Sequence, residues 1–268
     1  MHLPPLSDDV DWSISVSDAR TSQVLVDMEP DRVLRTASIG KLFLLVEIAR
    51  QAELGVLDLD EELPRTGADA VADSGLWHLM RRHSLAVDDL CWLVGGFSDN
   101  LATNVLIRRV GIDAVTCTSS SLGFMRSSLL DRVRDERGPG DPWTLSVGCA
   151  GELSDLMARL HRLDVVSAQV SSRVLRWVAA NADLSMVAAA FGLDPLAHAS
   201  GDRGVTLVNK TGTISTVRGD VGVVAGPVAA VAYAVLASWS ADAIDDPRDR
   251  VLADMRAVGV EIRRHVGA

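Results

Sequence analysis

Strand-like patterning in this chain of 268 residues is confined to its two ends, with helical patterning between them. Residues 12–17 (WSISVS) alternate apolar and polar, as do residues 23–28, and Asp18-Ala19-Arg20 between them reads as a turn. Strand character returns only at Val205–Asn209, Asp220–Ala225 and Val228–Trp239, and an amphipathic helix over Pro247–His265 closes the chain. The simplest arrangement pairs the two ends in one antiparallel sheet and inserts the middle as a helical lobe. The expected fold is therefore α+β: an α/β sandwich of an antiparallel sheet with a flanking terminal helix, plus an inserted all-helical lobe. Residues 1–268 are expected to form a single domain, with a sheet lobe from residues 1–36 and 200–268 and a helical lobe over residues 37–199.

The middle supplies the helices. Lys41 to Leu54 is apolar almost all round and ends at Gly55, as a central helix buried among others would. Further helices are expected over 71–82, over 87–94 following Ser84, and over 101–110 with Gly111 as terminator. Two more are expected over about 149–163 and 167–181. Residues 126–145, rich in Arg, Asp, Gly and Pro, read as a long surface loop.

Apolar residues make up 48% of the chain, ample for a core of this size. The net charge of −10 argues against a nucleic-acid footprint or attraction to anionic lipid, both of which need clustered positive charge. Cys91, Cys117 and Cys149 form no CxxC and leave an odd thiol, and the six histidines form no metal-binding pair. No metal and no other cofactor is expected. Residues 221–241 carry no charge, but Gly226-Pro227 interrupts the run and its β-branched and small residues fit two buried strands better than a membrane span. The first residues, MHLPPLSDD, have neither a basic nor an apolar signal region, so a cytoplasmic location is expected unless an export signal was removed.

Of 26 basic residues only Lys41 and Lys210 are lysines. Arginine is effectively always protonated, whereas lysine can give up its proton when its surroundings lower its pKa. Both lysines fall inside short motifs. Ser38-Ile39-Gly40-Lys41 is an S-x-x-K at the start of the central helix, where i, i+3 spacing brings hydroxyl and amine to one face. Ser98-Asp99-Asn100 precedes the 101–110 helix, and Lys210-Thr211-Gly212, followed by Thr213, ends the strand that starts near Val205. Each alone is a common turn or helix-start sequence; their order and placement together point to nucleophilic catalysis by an alcohol that needs a nearby base and pre-aimed donors.

This trio resembles the serine β-lactamase and penicillin-binding-protein superfamily, class A β-lactamases most closely, over nearly the whole chain from about residue 12. The 60-residue step from Ser38 to Ser98 suits a class A-like helical lobe. The resemblance implies a β-lactamase/transpeptidase-like fold and a serine hydrolase working through a Ser38 acyl-enzyme on a β-lactam, amide or ester that bears a carboxylate. It implies Ser38 as nucleophile, Lys41 as its activator, Ser98 as proton relay to the leaving group and Lys210 as holder of Ser98 and the substrate carboxylate. Asn100 would bind the substrate amide, Thr211 and Thr213 the carboxylate and the strand-side amide, and the Ser38 and Thr213 N–H groups the oxyanion, beside Gly212. Lys41, desolvated and near a second ammonium, should have a lowered pKa. Arg218 is a candidate second cation for the carboxylate, weighed against an exposed strand-start arginine.

The match departs at the loop. After Leu130-Asp131-Arg132, the position of the deacylating glutamate reads Arg134, and that of its asparagine partner reads Gly138. Glu136 or Asp135 could substitute if the loop is reshaped; otherwise Glu136 is a solvated charge. Slow or absent penicillin hydrolysis with stable acylation is expected, with esters still turned over. The alternatives are a penicillin-binding, D,D-peptidase-like or esterase activity, and a non-catalytic ligand-binding relative. Asp131 and Arg132 read as fixing the loop neck, Trp77, Trp92, Trp143 and Trp177 as packing, Cys91 as a buried small hydrophobe, and His198 as part of a loop over 198–202.

Overall fold

The computed structural model describes all residues except 73, 199, 200, 203 and 244. The amino-terminal hairpin forms as β1 (Asp11–Asp18) and β2 (Val24–Met28), and its turn is fixed by Asp18, whose carboxylate accepts from the N–H groups of Arg20 and Thr21 at 2.9 and 2.8 Å. A two-residue strand, β3 (Leu34–Arg35), leads into α1 (Lys41–Glu53). Then come β4 (Glu62–Pro64), β5 (Ser84–Ala86), α2 (Val87–Phe97), α3 (Asn100–Val110) and α4 (Ile112–Ser121). The short strands β6 (Ser128–Leu129) and β7 (Ser146–Gly148) flank the polar loop, followed by α5 (Ala150–His161) and α6 (Ala168–Val178). The chain ends with β8 (Thr206–Ile214), β9 (Val217–Ala225), β10 (Ala230–Ser238) and α7 (Arg248–Val266).

The chain ends do meet. The main sheet is antiparallel with order β2-β1-β10-β9-β8, and β1 pairs with β10 from Asp11↔Ser238 to Asp18↔Val231. Alternation along β1 sends Trp12, Ile14 and Val16 into the core beneath α7. Its serines face α5: Ser13 Oγ accepts the Ala150 N–H at 3.0 Å, and Ser17 Oγ bonds Ser154 Oγ at 3.2 Å. Both faces of β1 are thus buried, the polar one satisfied by the helix it covers. The uncharged run 221–241 folds as β9 and β10 joined at Gly226-Pro227, and among the described residues no helix is long and apolar enough to cross a membrane.

The second core surrounds α1, whose residues 41–49 are all buried. One of them, Glu47, is a charge held in the interior by Arg50, Gln51 and Thr118, which hydrogen-bond its carboxylate at 2.5–2.8 Å. Burial alone would push its pKa up, but those bonds outweigh it and hold the group below its ordinary value.

Several local expectations need correction. Residues 74–82 form no α-helix, only a 3-10 turn at Trp77–Leu79; Gly75 sits at φ +124°, which breaks a helix there. The unforeseen α4 starts directly after Gly111 (φ +84°), and its Thr- and Ser-rich sequence gives little helical signal. The Lys210 motif lies towards the end of its strand, as expected, and β8 runs on past it to Ile214. A 3-10 turn at Val187–Phe191 packs with α7 and the sheet, close enough that a Cβ on Gly259 would lie 2.2 Å from the Val187 carbonyl. The lobe boundary at residue 200, and part of the loop following His198, lie outside the described residues. Trp77 and Trp177 are fully buried, whereas Trp143 is 68% exposed, and Cys91 is buried.

Candidate active site

Ser38 sits in a tight 3-10 turn, Ala37–Gly40, immediately before α1. The turn is anchored by three hydrogen bonds to Ser146 on β7. Thr36 N–H donates to Ser146 O at 3.2 Å, Thr36 Oγ1 bonds Ser146 Oγ at 2.8 Å, and Ser146 Oγ donates to Ala37 O at 2.5 Å. Ala37 takes the left-handed region at φ +47°, a strained conformation for alanine held by these contacts. Gly40 is required by the approach of β7: a Cβ there would lie 2.4 Å from Ser146 Cβ.

Ser98 caps the end of α2 with φ +53°, and Asp99 then starts α3. Asp99 accepts from the N–H groups of Leu76, Trp77 and Ala102 at 2.7–2.8 Å, which clamps the segment 74–77 to the start of α3. The clamp aims Ser98 and Asn100 at Lys41. Lys41 Nζ, fully buried, donates to Ser98 O at 2.6 Å and Asn100 Oδ1 at 2.8 Å, and lies 3.3 Å from Ser98 Oγ. Its pKa is driven well below the ordinary lysine value by burial and then by repulsion from Lys210, against an opposing pull from Asp99. A neutral amine has two N–H donors and one lone pair. Ser98 O and Asn100 Oδ1 use both donors, leaving the lone pair for a hydroxyl proton.

Lys210 on β8 is also fully buried; its Nζ donates to Thr211 O at 3.0 Å, and burial draws its pKa down to about 8 despite Asp183 and Asp220. Asp220, adjacent on β9, is pushed up to about 7 by burial, even though Asn209, Ala188 and Tyr233 donate to it. Gly212 brings β8 against the Ser38 turn, and Ile39 wedges over Gly212 and Gly219.

These groups open onto a cleft of about 790 Å³ lined by Ser38, Ser98, Thr211, Thr213 and Arg218. Lys41, Asn100 and Lys210 are buried directly beside these lining residues. Among the described residues no hydrogen bond joins Ser38 Oγ to either lysine, so the two amines meet the nucleophile's surroundings through Ser98 and the strand. Arg218 is not an exposed strand-start arginine: it is 8% exposed, donates to the carbonyls of Ile214 and Val217, and lies 5.7 Å over the Trp239 ring. Sequence reasoning missed Asp183, Arg248, Ser74 and Phe97, which also line the cleft. Arg248 opens α7 one residue after Pro247, a helix-start signal that located the helix without revealing where it points.

Glu136 does not join the site. It is exposed, lines no part of the cleft, and Asp135 accepts the Ala72 N–H at 2.8 Å. Arg134 pairs with Asp131 at 2.7 Å and Asp141 at 3.0 Å, and Arg137 pairs with Asp131. Asn104 fastens the loop to α3, donating to Val133 O and accepting its N–H. Arg132 donates to Ala68 O at 2.6 Å.

Comparison with known proteins agrees with this architecture. A β-lactamase from Sphaerobacter thermophilus is 21% identical over 96% of this chain and 92% of its own, with a TM-score of 0.82. PBP-A is 19% identical over 98% and 100%, with a TM-score of 0.79; a mutant of PBP-A, solved as an acyl-enzyme complex with penicillin G, superposes at 0.78. An ancestral class A β-lactamase is 22% identical over 96% and 94%, at 0.78. A search of curated proteins returns no match. The model of the β-lactamase enzyme family matches residues 6–263, and with that match over nearly its whole length this chain belongs to the β-lactamase family of serine hydrolases.

Proposed function

We propose that this protein forms an acyl-enzyme on Ser38 with carboxylate-bearing β-lactams, esters or amides, and releases β-lactam acyl groups slowly. The observation that carries the reading is the buried Lys41 amine, its two donors occupied by Ser98 O and Asn100 Oδ1, beside a cleft that opens at Ser38. Neutral Lys41 removes the Ser38 proton as Oγ attacks the carbonyl carbon, with Ser98 Oγ, 3.3 Å from the amine, within relay distance. The oxyanion is received by the backbone N–H groups of Ser38 and Thr213. As the bond to the leaving atom breaks, Ser98 delivers the proton to it. Lys210, Thr211 and Arg218 hold the substrate carboxylate, and Asn100 takes the amide of the acyl arm.

Deacylation needs a base that reaches water at the ester carbon. Read without gaps, the sequence puts Arg134 where the class A resemblance expects that base; Arg134 is tied to Asp131 and Asp141, and Glu136 is outside the cleft. This favours a penicillin-binding type of acyl acceptor over a fast β-lactamase. Intact-mass spectrometry after mixing with penicillin G tests it. A persistent adduct on Ser38, lost in Ser38→Ala, is expected; rapid turnover of a chromogenic cephalosporin would overturn slow release, and the absence of any adduct would overturn acyl transfer itself.

A further inference from the structure

Beside the cleft lies a second cavity of about 360 Å³, lined by Met80, Leu85, Trp92, Leu93 and Phe97, with Asp89 its only charged residue. Phe97 lines both cavities and is 39% exposed, as is Met80 in the groove. Leu79, in the same turn as Met80, is 74% exposed, so the apolar surface continues outward from the groove. A groove of this size falls in the range of small-molecule sites.

Resting on the acyl-transfer reading above, we propose that this groove receives an extended apolar chain on the substrate's leaving group. Phe97 directly precedes Ser98, the residue that protonates the departing atom, so a chain reaching the groove belongs to the part that leaves rather than to the acyl part. The carboxylate of the same leaving group stays with Lys210 and Arg218. Asp89 disfavours an anionic chain end, so the occupant is an amphiphile: one carboxylate near the scissile bond and a neutral alkyl or aryl tail.

Two phenylacetyl thioesters test this, one of 2-mercaptopropanoate and one of 2-mercaptooctanoate, which differ only in a methyl or hexyl substituent on the leaving group. In each, a bond forms from Ser38 Oγ to the carbonyl carbon, the C–S bond breaks, and the serine proton ends on sulfur. Both therefore give the same phenylacetyl adduct by intact mass. Acylation at least about tenfold faster from the hexyl compound is expected, as apolar pockets discriminate by such factors. Met80→Glu should bring the ratio of the two rates toward one; the ratio is taken on a single preparation, so any loss of folded protein cancels. Equal rates in the parent protein, with Ser38 acylated by both, would overturn the groove while leaving acyl transfer intact. A preference that survives Met80→Glu would overturn its location. No adduct from either compound would overturn the acyl-transfer reading and this one with it.

Discussion

Gly212 of β8 is pressed against the backbone carbonyl of Thr36: a Cβ at position 212 would lie 2.1 Å from that oxygen. The third residue of the Lys-Thr-Gly motif is thus a spacing device. It lets the strand that carries Lys210, Thr211 and Thr213 close on the turn that carries Ser38, the approach that the proposed pair of oxyanion donors, Ser38 N–H and Thr213 N–H, requires. Gly212→Ala should separate strand and turn by about an ångström, cost roughly 1–3 kcal/mol of stability as overpacking does, and slow Ser38 acylation by well over tenfold. Thermal unfolding and the acylation rate measured on the same preparation check it. An alanine variant with parental acylation would mean that the close approach does not set the site.

The two buried lysines should give acylation a bell-shaped pH dependence. In the proposed mechanism Lys41 acts as the neutral amine, so the rate should rise with pH along a limb well below the ordinary lysine range. In the same mechanism Lys210 acts as the cation, and above about 8 it loses its proton, so kcat/KM for a carboxylate-bearing ester should fall there. Arginine keeps its charge throughout this range. Lys210→Arg should therefore abolish the alkaline limb even if the overall rate drops, and a limb near 8 that persists in the variant would detach it from Lys210.

Asp220 should make the fold less stable as the solution becomes more basic. Its pKa rises from 3.8 to about 7 on folding, so between those values the native state holds a proton that the unfolded chain has released. Stability therefore falls as pH rises from about 4 to 7 and is flat beyond, by about 4 kcal/mol at most. Asp220→Asn removes the charge and keeps an oxygen for the Asn209 and Tyr233 donors, but puts an NH2 where the second oxygen accepts the Ala188 N–H, a loss that does not vary with pH. Denaturant unfolding should show the variant gaining on the parent as pH rises through that window; a stability difference that does not change between pH 4 and 8 would refute the assignment.

How much of this was readable in the chain depends on whether a signal was local. The Ser38, Ser98 and Lys210 motifs were legible because each combines a distinctive residue set with an element boundary, and the terminal strands because their alternation is strict over β1 and their apolar run continuous over β9 and β10. The helix α4 was hidden by residues of weak propensity, since its burial of Val115, Thr118 and Ser119 is decided by packing on α1 rather than by its own sequence. Asp183 and Arg248 reach the cleft from a loop and from the start of α7, far apart in sequence, and no spacing rule joins them. The sequence left Glu136 open between a replacement base and a solvated charge; it is exposed, because the loop's course is set by Asp131 gathering Arg134 and Arg137.

That gathering allows a separation of loop stability from chemistry. Burial pushes the Asp131 carboxyl up, but hydrogen bonds from Arg134, Arg137 and the Arg132 N–H hold it below its ordinary value. Asp131→Asn removes the charge and leaves Arg134 with Asp141, and Arg137 with the Pro142 carbonyl at 2.9 Å. Losing one member of a partly buried ionic cluster costs about 2 kcal/mol, so the melting temperature should fall by several degrees. If the loop holds no deacylation base, the lifetime of the penicillin adduct should stay within about twofold of the parent's once both are folded, since no proton transfer is lost. Following adduct decay by intact mass at a temperature below both transitions measures this. A change of tenfold or more in that lifetime, in either direction, would mean that the loop takes part in release after all, with Asp135 or Glu136 moving to the cleft as the acyl group binds.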